Sequence, residues 1–486
     1  MSAFKELMMG MTQGRDWDLM GNGESVRELL WRVYDERCHS ASHYKDRYQI
    51  RVNLQKKSDV ASYAGWITAE NPSSGPYQGT SFVWMPSEKG SVAVLVIGTD
   101  GFGADASILG RPGHGRRLRA LSRIHKGRIW VKPDLLDIGS EVPTATTKEW
   151  PDISTCLKTY SRVIYAAGTV RGMEDEAAVA DLIDLFFHEH GTPLTGQAKE
   201  RWEERLEAIA GAVFPLISED HVISVLKERR FVILEGPPGT GKTRLAFRIA
   251  NNIGSSTRIQ FHAARTYEDF VVGLFPRPSS GGLTFDVRPG DLLIANNQAQ
   301  DKFHLLVIDE INRTDLARVL GEAIVLFESG EIGRSVRLPY IPQGFPSELQ
   351  LSPKLLVLGT RNTADRTIAR IDLAIRRRFA FIEIWPDLKA VQKEEVDFAI
   401  DLFSDAIHTF AEYADYDTMR LVPGHAYFLD PRPDLGPENR RVRVIQRLRY
   451  ELVPLLQDYL DEKLCGGASE AIAGLSDRIE ARLMSL

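Results

Sequence analysis

Cysteine is scarce in this chain. The three that occur, Cys38, Cys156 and Cys465, lie far apart with no CxxC pair, which argues against a disulfide framework and fits reduced cytosolic thiols. No apolar run approaches the ~20 residues needed to span a bilayer. The opening stretch, MSAFKELMMGMTQGRD, lacks the basic-then-apolar layout of a secretion signal. Positive charge is not in excess either: 66 acidic and 60 basic residues give a formal charge of -6 and a pI near 6.1. That balance speaks against bulk coating of nucleic acid and leaves room for a local basic patch. No internal repeat or low-complexity tract is found. The expectation is a cytoplasmic protein with no membrane partner.

The 486 residues are 43% hydrophobic and 26% charged, an ordinary globular balance. The length suits two or three domains of roughly 150 residues each. Residues 23–37 have the spacing of an amphipathic helix, and Thr80–Trp84 and Val92–Ile97 read as strands around a turn at 88–90. Residues 101–115 are rich in glycine and read as loop. From about 173 an acidic start passes into apolar helical spacing, as a helix N-terminus should. Glycine and proline at 191–196 break the chain before a second charged helix. Residues 215–390 alternate apolar strands with amphipathic helices, the pattern of a parallel α/β sheet, and the rest reads as helical. The expected division is an α+β N-terminal domain (1–190), a helical connector (191–214), an α/β domain (215–390) and a helical lid (391–486).

The strongest signal lies at 231–250. A β-branched strand, Phe231–Leu234, runs into Gly236, Pro237, Pro238, Gly239, Thr240, Gly241, Lys242 and Thr243, followed by Arg244 on a helix. This is GxxxxGK[ST] in its strand–loop–helix context. Its glycines let successive N–H groups curl inward around phosphates, helped by the positive helix end. Lys242 brings a point charge to the β/γ phosphates, and the Thr243 hydroxyl is a ligand for Mg2+. The cofactor set is therefore a nucleoside triphosphate with Mg2+.

Downstream, residues 303–310 form a buried strand ending in Asp309 and Glu310. At a strand's carboxyl end, Asp309 suits the Mg2+ shell and Glu310 suits a general base for the attacking water. A third strand, Lys354–Leu358, leads to Asn362, where two readings stand: orienting the hydrolytic water, or capping a turn. Arg376, Arg377 and Arg378 radiate around a helix end. They are either arginines supplied in trans to a neighbour's nucleotide or a solvated basic end favoured by the helix dipole.

Together these segments resemble the McrB family of AAA+ NTPases, the motor subunits of modification-dependent restriction systems. The resemblance rests on GPPGTGKT (236–243), QFHAARTYEDFVVG (260–273), VIDEINRTDLARVLGE (307–322), RNTADRTIARIDLAIRRRF (361–379), PGHAYF (423–428) and YELVPLLQDYL (450–460), and covers roughly residues 215–465. It implies an AAA+ P-loop core with a helical C-terminal lid. Glu310 becomes the catalytic glutamate, Asn362 the first sensor, Arg377 and Arg378 the candidate arginine fingers, and Asn312 the position through which a partner tunes hydrolysis. Residues 273–291 and 334–351 correspond to hairpins that face a ring's central pore. The family further implies a hexameric homo-oligomer, an McrC-like nuclease partner and GTP, with ATP kept open as the nucleotide of AAA+ proteins in general. Consistent with a separate nuclease, the nearest approach to an ExK element, Ser87–Lys89, reads as a hairpin turn.

No family is recognised in residues 1–190. Their basic segment, Arg111–Lys132, holds six arginines, two lysines and no acidic residue. Arg116, Arg119 and Arg123 share one helical face, with Lys126 and Arg128 beyond it, an arrangement suited to DNA phosphates. Trp66, Trp84 and Trp130 could stack on an extruded, modified base. The competing reading makes the tryptophans core and the arginines a solvated face or a dock for the connector. His39 and His43 beside Cys38, and likewise His188 and His190, read as surface histidines rather than metal ligands. The functional expectation is an NTP-driven, DNA-sensing motor of a restriction or phage-defence complex. The alternative is a MoxR-like AAA+ chaperone gripping a protein client.

Overall fold

The computed structural model describes residues 1–14, 23–54, 62–72, 78–87, 90–98, 106–137, 141–142, 160–279, 282–328, 330–364 and 373–486. Two units emerge, Met1–Val213 (with which 411–413 cluster) and Phe214–Leu486 without those three residues.

The first unit is built on a six-stranded antiparallel sheet of order β1-β2-β3-β4-β6-β5. The strands are β1 (Tyr48–Asn53), β2 (Tyr63–Thr68), β3 (Thr80–Ser87), β4 (Gly90–Ile97), β5 (Ile129–Val131) and β6 (Ile164–Val170). β3 and β4 are buried along their whole length, the signature of strands covered on both faces. One face packs against α1 (Ala3–Gln13), α2 (Gly23–Arg37) and α4 (Glu176–Glu189) in a shared aromatic core. There Trp66 meets Phe187 edge-on at 5.3 Å, and so does Tyr34. Trp66 and Trp84 are 0% exposed. These two tryptophans are therefore core, not stacking platforms, and only Trp130 is half-buried. The basic segment forms α3 (Pro112–Ile124), so the expected glycine-rich loop is already helical at 106–109 and from 112 onward. Residues 88–89 and Cys156 fall outside the described residues. Among the described residues no cluster of His, Cys, Asp and Glu could hold a metal.

The helix expected as a connector, α5 (Gly196–Val213), belongs to this unit instead. Trp202 and Ile209 enter the same core. Two acids on α4, Asp181 and Asp184, are fully buried, and α5 brings Arg205 within 2.7 Å of the first and Arg201 against the second. Arg37 of α2 donates to Asp184 at 2.8 Å. Burial pushes the Asp184 carboxyl up, and the two arginines oppose that push.

The second unit holds a parallel sheet of order β15-β7-β14-β11-β8, from β7 (Phe231–Gly236), β8 (Ser256–Gln260), β11 (His304–Asp309), β14 (Leu355–Asn362) and β15 (Ala380–Glu383). β7 is buried throughout and β11 nearly so, as parallel strands covered by helices on both faces must be. Helices α6 (Glu219–Arg229) and α7 (Lys242–Ile253) pack on one side, and α8 (Asp291–Gln298) on the other. Two ribbons leave this body: β9 (Val272–Ser279) with β10 (Gly282–Pro289), and β12 (Ser335–Arg337) with β13 (Glu348–Gln350). On the first ribbon, cross-strand pairing sets Leu274, Pro276 and Pro278 against Val287, Phe285 and Leu283 on one face. Leu283 and Phe285 are more than half exposed. The C-terminal part is helical, with α9 (Asp397–Tyr413), α10 (Arg440–Arg447), α11 (Val453–Asp461) and α12 (Ser469–Met484). No helix of the described residues is long and apolar enough to cross a membrane.

Removing one partner of a buried ion pair costs roughly 3–5 kcal/mol. A fragment ending at residue 190 would leave Asp181 without Arg205 and Asp184 with Arg37 but not Arg201. It should therefore lose cooperative unfolding, whereas Met1–Val213 should melt in a single transition by circular dichroism.

Candidate nucleotide-binding site

Sequence alone places the loop between β7 and α7, and the fold brings the ends of β11 and β14 beside it. Asn362 is the register partner of Gly236, and the Thr363 N–H donates to the Gly236 carbonyl at 3.1 Å. Gly239 and Gly241 have φ of 74° and 78°, a left-handed backbone that glycine adopts without strain. A Cβ at Gly239 would also come within 2.8 Å of the Tyr427 ring. Lys242 is buried, and its Nζ donates to the carbonyls of Gly236 (2.9 Å) and Pro237 (2.6 Å). Burial lowers its pKa to about 8, with Glu310 and Asp309 opposing the shift. Arg244 is exposed one position beyond Thr243.

The Asp309 Oδ1 atom gathers two hydroxyls. Thr243 donates to it at 2.8 Å and Thr360 from the neighbouring strand donates as well. Thr360 Oγ1 in turn accepts from the Glu310 N–H at 3.1 Å. Glu310 has φ of 53°, a conformation that costs a non-glycine residue free energy and recurs at functional sites. Its buried Oε2 has no hydrogen-bond partner among the described residues, although Arg313 Nε lies 3.5 Å away. The Asn312 side chain is buried, its Oδ1 also lacks a partner among the described residues, and it borders an open cleft with His262, Arg265 and Arg318. Asn362 Oδ1 accepts from the Ala364 N–H at 3.2 Å, so the turn-capping role is realised and Nδ2 remains for another acceptor. Residues 365–372 lie outside the described set.

The three arginines separate. Arg376 lies over the Phe381 ring at 5.0 Å. Arg378, one of the two candidate fingers, turns inward: its side chain is 5% exposed, donates to the Ala374 carbonyl and sits 3.4 Å from Glu328. Arg378 is thus held against Glu328 and Ala374 of its own chain. Arg377 is 66% exposed, with its Nε 3.9 Å from the same Glu328 carboxylate.

Two features are invisible as site residues in the sequence. Glu235, buried at the end of β7, pairs with Arg361 at 3.1 Å directly across the register. The lid segment 424–427 lies on the P-loop: the Gly424 N–H donates to the Pro238 carbonyl and the Ala426 N–H to the Gly239 carbonyl, both at 2.9 Å. PGHAYF carries no charge pattern that would betray this contact.

In the first unit, the basic helix is partly committed. Arg117 pairs with Glu189 at 2.6 Å, and His114 lies 3.3 Å from the same carboxylate. Burial alone would raise Glu189, but the neighbouring His114 and the Arg117 guanidinium hold it at about 2. Arg116 is half-buried, Arg119 donates to the Pro133 carbonyl at 2.6 Å, and Arg128 pairs with Asp175 at 3.0 Å. Arg123 and Lys126 are exposed.

Residues 231–379 match the AAA domain model of the dynein-related subfamily. These residues thus form an AAA domain carrying the P-loop of an NTPase. The chain's NTPase portion is McrB-like: it is 30% identical over 277 residues to the type IV methyl-directed restriction enzyme EcoKMcrB subunit of Escherichia coli (strain K12), a match covering 52% of this chain and 59% of that one. The chain thus spans less than two thirds of that relative's length. An ATPase candidate from Cytophaga hutchinsonii, known from a crystal structure, is 16% identical over 57% of this chain and 85% of its own, with a TM-score of 0.25.

A lysine with pKa near 8 loses its charge as pH rises through that value, while bound phosphates would hold the proton on. Triphosphate affinity should therefore fall by about tenfold between pH 7 and pH 9. Titration calorimetry on wild type and Lys242→Arg checks this, since the arginine variant should show a flat profile.

Proposed function

We propose that this chain is the motor subunit of a restriction or phage-defence complex similar to McrBC. In this reading it hydrolyses GTP or ATP with Mg2+, assembles as a hexameric ring, drives a separate McrC-like nuclease and reads DNA through its first unit. The observation that carries the reading is the convergence of Lys242, Thr243, Asp309, Glu310 and Asn362 at the carboxyl ends of three adjacent strands, where open α/β sheets bind ligands. The McrB likeness favours GTP, and the wider class favours ATP.

Residues 236–244 cradle the phosphates, and Lys242 leaves its loop carbonyls for phosphate oxygens. The Thr243 and Asp309 oxygens are hard donors of the kind Mg2+ prefers, and they already meet at 2.8 Å. Bound there, the ion would offset negative charge between the β and γ phosphates. Glu310, with a carboxylate oxygen that lacks a partner among the described residues, takes a proton from the attacking water, and Asn362 orients that water through Nδ2. Arg377 reaches a neighbour's nucleotide, which requires a head-to-tail ring. Asn312, buried with an open acceptor, is where a partner subunit adjusts Glu310. The MoxR-like alternative gains from the burial of Trp66 and Trp84 and from the pairing of Arg117 and Arg128, which leave less basic surface for DNA.

Glu310→Gln should keep nucleotide binding while losing most turnover, because the cradle and the metal ligands are untouched. Arg377→Ala should also lose turnover but regain some when mixed with Lys242→Ala chains, since mixed interfaces join an intact cradle to an intact arginine. Phosphate release measured on each chain and on the mixture decides both. Full turnover by Glu310→Gln would remove the general-base assignment.

The fragment Met1–Val213 should bind duplex DNA with strong salt dependence. Changing Arg123 and Lys126 to glutamine should lower the slope of log K against log salt by ~0.9 for each phosphate that is no longer neutralised. A folded fragment with no such binding at low ionic strength would favour the protein-client alternative.

A further inference from the structure

Thr360 is buried near the end of β14, between the strand that leads into the P-loop and the strand that ends in Asp309. Its register partner on β7 is Leu234, and on the other side its neighbour Gly359 pairs with Ile308 of β11. A threonine hydroxyl has one proton to give and two lone pairs with which to accept. The proton goes to Asp309 Oδ1, and a lone pair accepts from the Glu310 N–H at 3.1 Å. A carboxylate only accepts, so the chain runs one way, from the Glu310 amide through the Thr360 hydroxyl to Asp309. The Glu310 carbonyl is held too, by the Arg313 N–H at 2.9 Å. Both polar backbone groups of Glu310 are thus fastened, on a residue whose φ of 53° and ψ of 46° are left-handed. Such a conformation persists in a non-glycine residue only where its surroundings over-determine it. Backbone angles decide which rotamers a side chain can reach. Whatever holds them therefore also decides where the Glu310 carboxylate stands.

We propose that Thr360 is a positioning residue for hydrolysis, its hydroxyl holding the Glu310 backbone so that the carboxylate meets the attacking water. This rests on the general-base reading of Glu310 above. Thr360 touches neither phosphate nor water in this role and acts only through Glu310. Thr243 gives its hydroxyl to the same Asp309 oxygen, so the start of α7 and the glutamate backbone share one anchor. A threonine that merely filled space would set stability and leave the rate of the chemical step alone.

The test uses the full chain with Mg2+. Turnover is read as steady-state phosphate release, and affinity for the β,γ-imido triphosphates by titration calorimetry. Thr360→Val keeps the branched shape but leaves the Glu310 N–H without its acceptor. Turnover should fall by about tenfold or more, the scale of one buried polar group left unpaired, with kcat and kcat/KM falling together. Affinity for the analogues should stay at the wild-type value, because the P-loop and the Thr243–Asp309 contact remain. Thr360→Ser restores the hydroxyl and should recover most of the turnover. In a Glu310→Gln background, Thr360→Val should cause little further loss, since the carboxylate it positions is already gone. Wild-type kcat in Thr360→Val, a serine variant as slow as valine, an affinity loss matching the loss of turnover, or full additivity with Glu310→Gln would each overturn the proposal. Should Thr360→Val fail to fold, Thr360→Cys replaces it. A thiol is the weaker donor and acceptor, so the cysteine variant should turn over more slowly than the serine variant at equal affinity, and equal rates would overturn the proposal. Glu310→Gln alone isolates the underlying reading. Full turnover there removes the general base and this proposal with it, whereas a slow Glu310→Gln beside a wild-type Thr360→Val removes this proposal only.

Discussion

One carboxylate oxygen organises the second unit. Asp309 Oδ1 receives the hydroxyls of Thr243 and Thr360, and Thr360 passes the connection on to the Glu310 amide. The start of α7 and the tips of β11 and β14 are thereby tied at one level. A parallel sheet gives its strands a common direction but does not fix where each strand stops. The hydrogen-bonded chain through Asp309 does, and Glu310 can hold a left-handed backbone because its amide is fastened to the neighbouring strand.

The first unit solves a different problem with the same means. Its apolar helix α4 carries three buried acids, Asp181, Asp184 and Glu189, and each is met by cations from another helix: Arg205 and Arg201 from α5, Arg37 from α2, and Arg117 from α3. Buried charge of this kind adds little net stability compared with an apolar contact, yet it admits few alternative arrangements. The acids select which helices pack on α4 and in what register.

Legibility follows locality. The P-loop, its flanking strand and helix, and the Asp309–Glu310 strand end can be read because each is a contiguous string with its own periodicity. The α5 helix reads as a connector because its charges look solvated, although two aspartates three positions apart in an apolar helix signal that partners are owed. The inward turn of Arg378 depends on Glu328 and Ala374, which no local pattern announces. The contacts of Gly424 and Ala426 with the Pro238 and Gly239 carbonyls join residues far apart in the chain. Trp66 and Trp84 illustrate the converse: an aromatic suited to stacking is equally suited to a core, and neighbours such as Phe82 and Phe187 decide which.

The β9–β10 ribbon is protected along one edge. Pro276 and Pro278 share one parity along β9, while pairing with β10 runs unbroken from Val272 to Ser279. Their missing amide donors therefore fall together on the outer edge, where a third strand would have to attach. An exposed apolar ladder on a two-stranded ribbon would ordinarily invite edge-to-edge growth. Here that route is chemically closed on the β9 side, so Leu283 and Phe285 can be covered there only by a surface laid across the ribbon's face, and the ribbon behaves as a paddle rather than as a template.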